Sequence, residues 1–262
     1  MSIIQGSSIS ASSTESGSAD FYDYPIEQSL RFDGNSYLSR NLTATGNRKI
    51  WTLSCWIKRA KLSSLQYIFS FGSNGGGNDG IATIGFDPTN SFYAYFDSNT
   101  SAPYGAVSTT NLMRDTSSFY HIVWQVDATI SSADYWINGQ KVQNPGLQPP
   151  DYTYGNQTGW DMMIGTQAWA PASPHLSGYM ANIQFIDGQA LDASYFGEIS
   201  QDIWVPKTFD GTSSTGESTV STDYGTNGFL LDFSDISGTT INDTAPIDTN
   251  HSSANNWTAT GF

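Results

Sequence analysis

Hydrophobic and polar positions alternate with a period of two along most of the chain, and the clearest run is Phe119-Tyr-His-Ile-Val-Trp-Gln-Val-Asp127. It is followed by Asp134-Tyr-Trp-Ile-Asn-Gly-Gln-Lys-Val142, in which Tyr135, Ile137 and Val142 flank Asn138-Gly139. Asn-Gly supplies the two positive φ angles of a type I′ turn, so the second stretch predicts a tight hairpin whose first strand pairs with the preceding run. The same period recurs upstream. Leu30, Phe32 and Tyr37 alternate with polar residues around an Asp33-Gly34-Asn35 turn, and Trp51, Leu53, Cys55 and Ile57 share one strand face opposite Thr52, Ser54, Trp56 and Lys58. Leu65 to Phe71 reads as a strand stopped by the glycine-rich loop Gly72 to Gly80, and Ile81 to Phe86 pairs with Ser91 to Phe96 across Asp87-Pro-Thr-Asn90. Trp51, Leu53, Ile122, Trp124 and Ile183 are the expected inward-facing core. Trp56, on the other face, needs a loop or a partner to cover it. Gln143 to Trp169 and Asn99 to Gly105 carry Pro, Gly and aromatics without core periodicity and read as rim loops. Asp192 to Gly197 reads as one helical turn capped by Asp192.

The strand "YHIVWQVD" followed by the hairpin "YWINGQKV", with Ser29 to Arg40, Trp51 to Lys58 and Gly178 to Leu191 around them, resembles the laminin-G-like, concanavalin-A-like jelly roll. With Trp204-Val-Pro-Lys207 and Asn227 to Phe233 added, residues 21 to 262 are similar to virion proteins of tailed phages, marine ones especially. The resemblance implies an all-β, two-sheet antiparallel sandwich over residues 25–200. It implies an N-terminal anchoring arm over 1–24 and a C-terminal extension packing on the sandwich over 201–262. It also implies a structural protein of the virion surface, a capsid decoration or fibre subunit adhering to host surface glycans, or alternatively a receptor-binding, calcium-assisted lectin of a tail fibre. The expected partners are other virion proteins, further copies of the chain in a homo-oligomer, and host surface polysaccharide.

Composition narrows these readings. Aromatic residues make up 14% and charged residues only 13% of the 262 residues, which suits two packed sheets closed by polar loops, and no sustained 3.6-residue apolar stripe is present. The net charge of −14, from 10 Lys and Arg against 24 Asp and Glu, opposes contact with phosphate backbones, so nucleic acid is not an expected partner. Cys55 is the only cysteine, which excludes an intrachain disulfide and thiolate metal clusters, and its place in an alternating strand reads as a small buried hydrophobe. No apolar run reaches the length of a membrane span and Met1-Ser-Ile-Ile-Gln-Gly lacks the features of a signal peptide, so synthesis and assembly in a host cytoplasm are expected. Residues 1 to 20 are a Ser/Gly/Ala/Thr arm that cannot bury enough apolar surface to order itself and would need a partner surface to do so.

Catalytic patterns are missing. The four glutamates, Glu15, Glu27, Glu198 and Glu217, do not form the alternating acidic motif of a concanavalin-type glycosidase. His121, His175 and His251 have no metalloprotease spacing, and no serine sits in a nucleophile elbow. His121, beside core positions, reads as a structural histidine. No enzyme activity and no required cofactor are therefore expected. Lectin chemistry finds more material. Tyr104, Tyr152, Tyr154, Trp160 and Trp169 in rim loops are candidates for stacking on sugar faces, and Asn78, Asp79, Asp87 and Asp97 are oxygen-ligand candidates for Ca²⁺. Each also has a plain reading as a turn residue or loop anchor.

Overall fold

The structure is a computed structural model, and it describes residues 24–73, 79–98, 106–142, 155–168, 174–216, 219–246, 251 and 254–262. The N-terminal arm expected to anchor the chain lies almost wholly outside them. The strands in chain order are β1 (Leu30–Asp33), β2 (Tyr37–Asn41), β3 (Ile50–Arg59), β4 (Gln66–Gly72), β5 (Asp79–Phe86) and β6 (Ser91–Ser98). They continue as β7 (Ala106–Leu112), β8 (Tyr120–Asp127), β9 (Ser132–Ile137), β10 (Gln140–Val142), β11 (Asp161–Ile164) and β12 (Ser177–Asp187). The last six are β13 (Gly197–Ser200), β14 (Ile203–Pro206), β15 (Phe229–Leu231), β16 (Ile236–Ser237), β17 (Thr240–Ile241) and β18 (Trp257–Thr260).

Among the described residues, the first sheet runs β1-β12-β3-β8-β9-β10, with β15 also on β12, and the second runs β16-β17-β18-β2-β11-β4-β5-β6-β7. All pairings are antiparallel. The fold is the expected all-β sandwich. Its core lies between the sheets, where Trp51, Leu53, Ile122, Trp124 and Ile183 all face inward with at most 1% exposure. Trp51 meets Trp124 edge-on at 4.6 Å and Phe71 of the opposite sheet at 5.6 Å, so aromatic edges and faces lock the layers together. Cys55 is fully buried, and burial raises its thiol to about 12, so it serves only as a small apolar filler.

Three details differ from the sequence pattern. The opening alternation is two strands in different sheets: β1 pairs with β12, β2 with β11 and β18, and the Asp33 carboxylate accepts from the amides of Asn35 and Ser36 at the corner. The region read as a rim loop contains β11, which sits inside the second sheet between β2 and β4. Its four residues, Asp161-Met-Met-Ile164, are too few and too evenly buried to show a period. The predicted helical turn is a 3₁₀ turn over Ala193–Tyr195 with Asp192 as its cap, and Gly197 begins β13.

The outer face of the first sheet is buried as well. Leu191, Ala193, Tyr195, Phe196, Phe209, Tyr224 and Ala245 lie across it and form a second apolar cluster with Val123, Trp136 and Ile186. Trp56 therefore needs no partner: it is 9% exposed and stacks on His121 at 4.7 Å, and His121 in turn stacks on Trp204. That removes Trp56 from the outer aromatics that could bind a neighbouring subunit. The Asn138-Gly139 turn has positive φ at both residues (50° and 74°), and a Cβ on Gly139 would stand 2.4 Å from the Trp204 ring. Glycine is thus required there by conformation and by packing.

Trp124→Ala should lower stability by about 3–5 kcal/mol, read as a fall in the urea midpoint. An unchanged midpoint would contradict the placement of this residue.

Candidate functional site

At one end of the sandwich β2, β4, β6, β8 and β12 finish and β3, β5, β7, β9, β11, β15 and β18 begin, so many interstrand connections converge there. The chain ends that flank the loops holding Tyr104, Tyr152 and Tyr154 belong to this end: Ser98, Ala106, Val142 and Gly155. The three tyrosines themselves lie outside the described residues. Trp160 is at the same end, half-buried just ahead of β11, and its carbonyl accepts from the amide of Leu42 (2.8 Å). The Arg48 guanidinium lies 5.6 Å from its ring centre while Arg48 Nε donates to the Gly155 carbonyl (2.8 Å). Trp169 also lies outside the described residues; its described neighbour Ala168 follows β11, on the way to the opposite end.

The calcium candidates are not gathered into one place. Asp79 and Asp97 belong to paired backbones at the loop-rich end, with Asp79 opposite Ser98 and Asp97 opposite Ile81. Asp87 lies just past the other end of β5, roughly 26 Å from Asp79 at about 3.3 Å per residue. Its Oδ1 accepts from the Thr89 amide (2.8 Å), the Thr89 hydroxyl (2.6 Å) and the Ser91 amide (3.0 Å). Asp87 thus anchors the β5–β6 turn. Asn78 and the side chains of Asp79 and Asp97 lie outside the described residues. Among the described residues no group of three His, Cys, Asp or Glu side chains could hold a metal ion.

The loop-rich end is organised by a buried polar network that the sequence pattern does not reveal. Asp187, at the exit of β12, is only 7% exposed. Its Oδ1 accepts from the Asn47 amide (2.7 Å) and from Asn156 Nδ2 (2.8 Å), and its Oδ2 accepts from the Asn227 amide (3.0 Å). Asn156 also donates to the Asn47 carbonyl, and Asn227 Nδ2 donates to Asn156 Oδ1 and to the Ala44 carbonyl. Arg40 closes the chain of contacts by donating to the Asn227 carbonyl and to the side chains of Asn227 and Asn255. Burial pushes the Asp187 carboxyl up, against the lowering effect of these donors and of Arg40, whose own value burial brings down to about 10. One carboxylate thereby fixes segments from residues 44–47, 155–156 and 225–228 against the end of β12. Asn156 is fully buried, so its Asn-Gln-Thr sequon serves this network. The available signals were Asp187-Gly188 and Asn227-Gly228, which read locally as ordinary turns.

Beside the network, Thr45, Gly46, Asn47, Asp187, Gly188, Gln189, Ser221, Asp223, Gly225 and Thr226 line a surface pocket of about 380 Å³. Gln189 Nε2 donates to the carbonyls of Ser221 and Asp223, and Asp223 Oδ1 accepts from the Gly225 amide, which sets the shape of the pocket wall.

The histidines stay apart. His175 stacks on Tyr37. His251 is buried, with Nε2 3.0 Å from Asp243 Oδ2, and that same oxygen accepts from the Asn255 amide. His121 Nδ1 accepts from Trp204 Nε1 (2.9 Å), and because an indole can only donate, the ring proton sits on Nε2, 2.9 Å from Ser54 Oγ. The ring is structural, as expected from its place in the core strand.

A family model described as the concanavalin A-like lectin/glucanases superfamily matches residues 32–194. The chain belongs to this family. No curated protein sequence is significantly similar to it. Among solved structures, a candidate carbohydrate-binding protein of Bacteroides ovatus superposes with a TM-score of 0.55 at 15% identity, over 89% of this chain and 58% of that one, so this chain spans less than two thirds of it. A carbohydrate-binding module of a Ruminococcus gnavus sialidase gives 0.49 at 12% identity, over 63% of this chain and 91% of the module. A heptameric SAP-like pentraxin from Limulus polyphemus gives 0.48 at 17% identity, over 62% and 76%. The family model stops before Ser221, Asp223 and Thr226, so one wall of the pocket comes from sequence outside the matched part.

Burial lowers His121 to about 3. An unfolded histidine titrates near 6.5, so the unfolded chain takes up the proton first, and the stability contributed by the neutral ring, present above pH 6.5, is lost as pH falls from 6.5 toward 3. His121→Gln, which keeps an acceptor for Trp204, should show a shallower loss of urea midpoint over that range than the wild type. Equal slopes would show that His121 is not a buried neutral group.

Proposed function

We propose that the chain is a non-catalytic carbohydrate-binding module, carried on the surface of a phage virion, where it adheres to host surface glycans. The observation that supports the binding function is the convergence of many interstrand connections at one end of a lectin-family sandwich, with Trp160 and a polar pocket in the described part of that end. A flat ring presents an apolar face to the C–H side of a sugar, and polar groups nearby fix its hydroxyls. The virion location is supported by the sequence resemblance of residues 21 to 262. In that setting the segment 1–24 is the anchor and the sandwich is the displayed part.

Binding to immobilised surface polysaccharides should be measurable with the whole chain, and Trp160→Ala should weaken it about tenfold, the effect of removing one stacking aromatic. No polysaccharide retained by the wild type would refute the module. Incubation with the same polysaccharides should release no reducing ends; sustained turnover abolished by one Asp or Glu substitution would make the chain an enzyme. Deleting residues 1 to 20 should leave binding intact and prevent incorporation into particles, and full occupancy by the truncated chain would refute the anchor.

A further inference from the structure

We propose that the pocket lined by Asn47, Asp187, Gln189, Ser221, Asp223 and Thr226 is a subsite for one uncharged sugar residue of a bound glycan; the inference rests on the carbohydrate-binding reading above. At about 380 Å³ the pocket lies in the size range of small-molecule sites, roughly 300–1,000 Å³. No aromatic or large aliphatic side chain lines it, so nothing there selects an apolar ligand. Neither lysine nor arginine lines it, while two carboxylates do, so a uronate, sulfate or phosphate group meets like charge without a counter-charge. What remains is a wall rich in acceptors, which a ligand with several hydroxyl donors satisfies.

The geometry favours direct contact with hydroxyl groups over a bridging cation. Both Asp187 oxygens already accept N–H groups, from Asn47 and Asn156 on one and Asn227 on the other, so an incoming cation would face the positive ends of these donors. A hydroxyl can still share Oδ2, which accepts one bond from the described residues. The pocket is also held in shape before any ligand arrives. Asp187 is fixed on three sides, Gln189 ties the 221–223 segment by two carbonyls, and Asp223 bends the backbone at Gly225. Such a wall loses little side-chain freedom on binding, which favours recognition of a single residue by a few hydrogen bonds. Gly46 adds a constraint: a Cβ there would lie 2.0 Å from Asp187 Oδ2, so the backbone comes up against the carboxylate only because no side chain intervenes.

The test uses the whole chain and two panels of immobilised polysaccharide, one neutral (dextran, galactan, mannan) and one acidic (alginate, polygalacturonate), each with and without EDTA. Asp223→Asn keeps the acceptor for the Gly225 amide and removes the charge; Thr226→Phe fills the pocket from an exposed position. The expected result is retention of at least one neutral polysaccharide, insensitive to EDTA, weakened about tenfold or more by either variant while urea midpoints stay at the wild-type value. Neutral binding that both variants leave unchanged would overturn the subsite and leave the carbohydrate-binding module standing. Binding confined to the acidic panel, or abolished by EDTA, would also overturn it. Retention of neither panel would overturn the subsite and the module together.

Discussion

A sheet that buries both faces is the constraint on which the rest of this structure depends. The strands β3, β8 and β12 carry Trp51, Trp124 and Phe185 into the space between the sheets and Trp56, Val123 and Ile186 onto the opposite side. An ordinary antiparallel sheet leaves one face to water and alternates accordingly. Here the outer face carries Trp56, Val123 and Ile186 among buried polar residues such as Thr52, Ser54 and Gln184, and the chain has to supply a cover for them. Leu191, Tyr195, Phe196, Phe209 and Tyr224 supply that cover, with Trp204 at its centre, enclosed by His121, Gly139 and Gly197. Each contact limits the others: a side chain on either glycine would displace the indole, and without the indole His121 would lose the donor that holds its neutral tautomer.

The same cover builds the loop-rich end. After β14 the chain turns back over the first sheet, and residues 221 to 228 come to lie against the exit of β12 before β15 joins that sheet. Asp187 is where these segments meet. A carboxylate buried to this degree carries a desolvation cost, offset by three N–H donors and by the positive charge of Arg40. The consequence is that connections distant in sequence are tied to one another at this end. Residues 44–47, 155–156 and 225–228 share one hydrogen-bonded centre, and the pocket beside it inherits that constraint.

β12 itself shows how one strand serves two partners on one edge. Its first half pairs with β1 and its second half with β15, and the register shifts between Ala181 and Gln184, where Asn182 has a φ of 44°. The extra residue lets the strand bend and change neighbours without losing its pairing to β3 on the other edge.

The alternation of Trp51 to Ile57 and of Ile122 to Val126 determined the strands, their inward faces and the sandwich itself, because the inward face is apolar throughout while the outer one is largely polar, and that contrast has a period of two that any local reading detects. Asn138-Gly139 determined its turn, since few other dipeptides tolerate two positive φ angles. The place of Cys55 and His121 in the core was legible for the same reason. The short strand β11 was not: four residues, the last three of them consecutively buried, carry no period, and only its neighbours β2 and β4 make it a strand. Nor was the cover over Trp56, which depends on where residues well over a hundred positions away come to lie. The Asp187 centre was least legible of all, because Asp, Asn and Gly at strand ends look alike whether they face water or one another, and only the packing of Asn47, Asn156 and Asn227 around one carboxylate decides which they do.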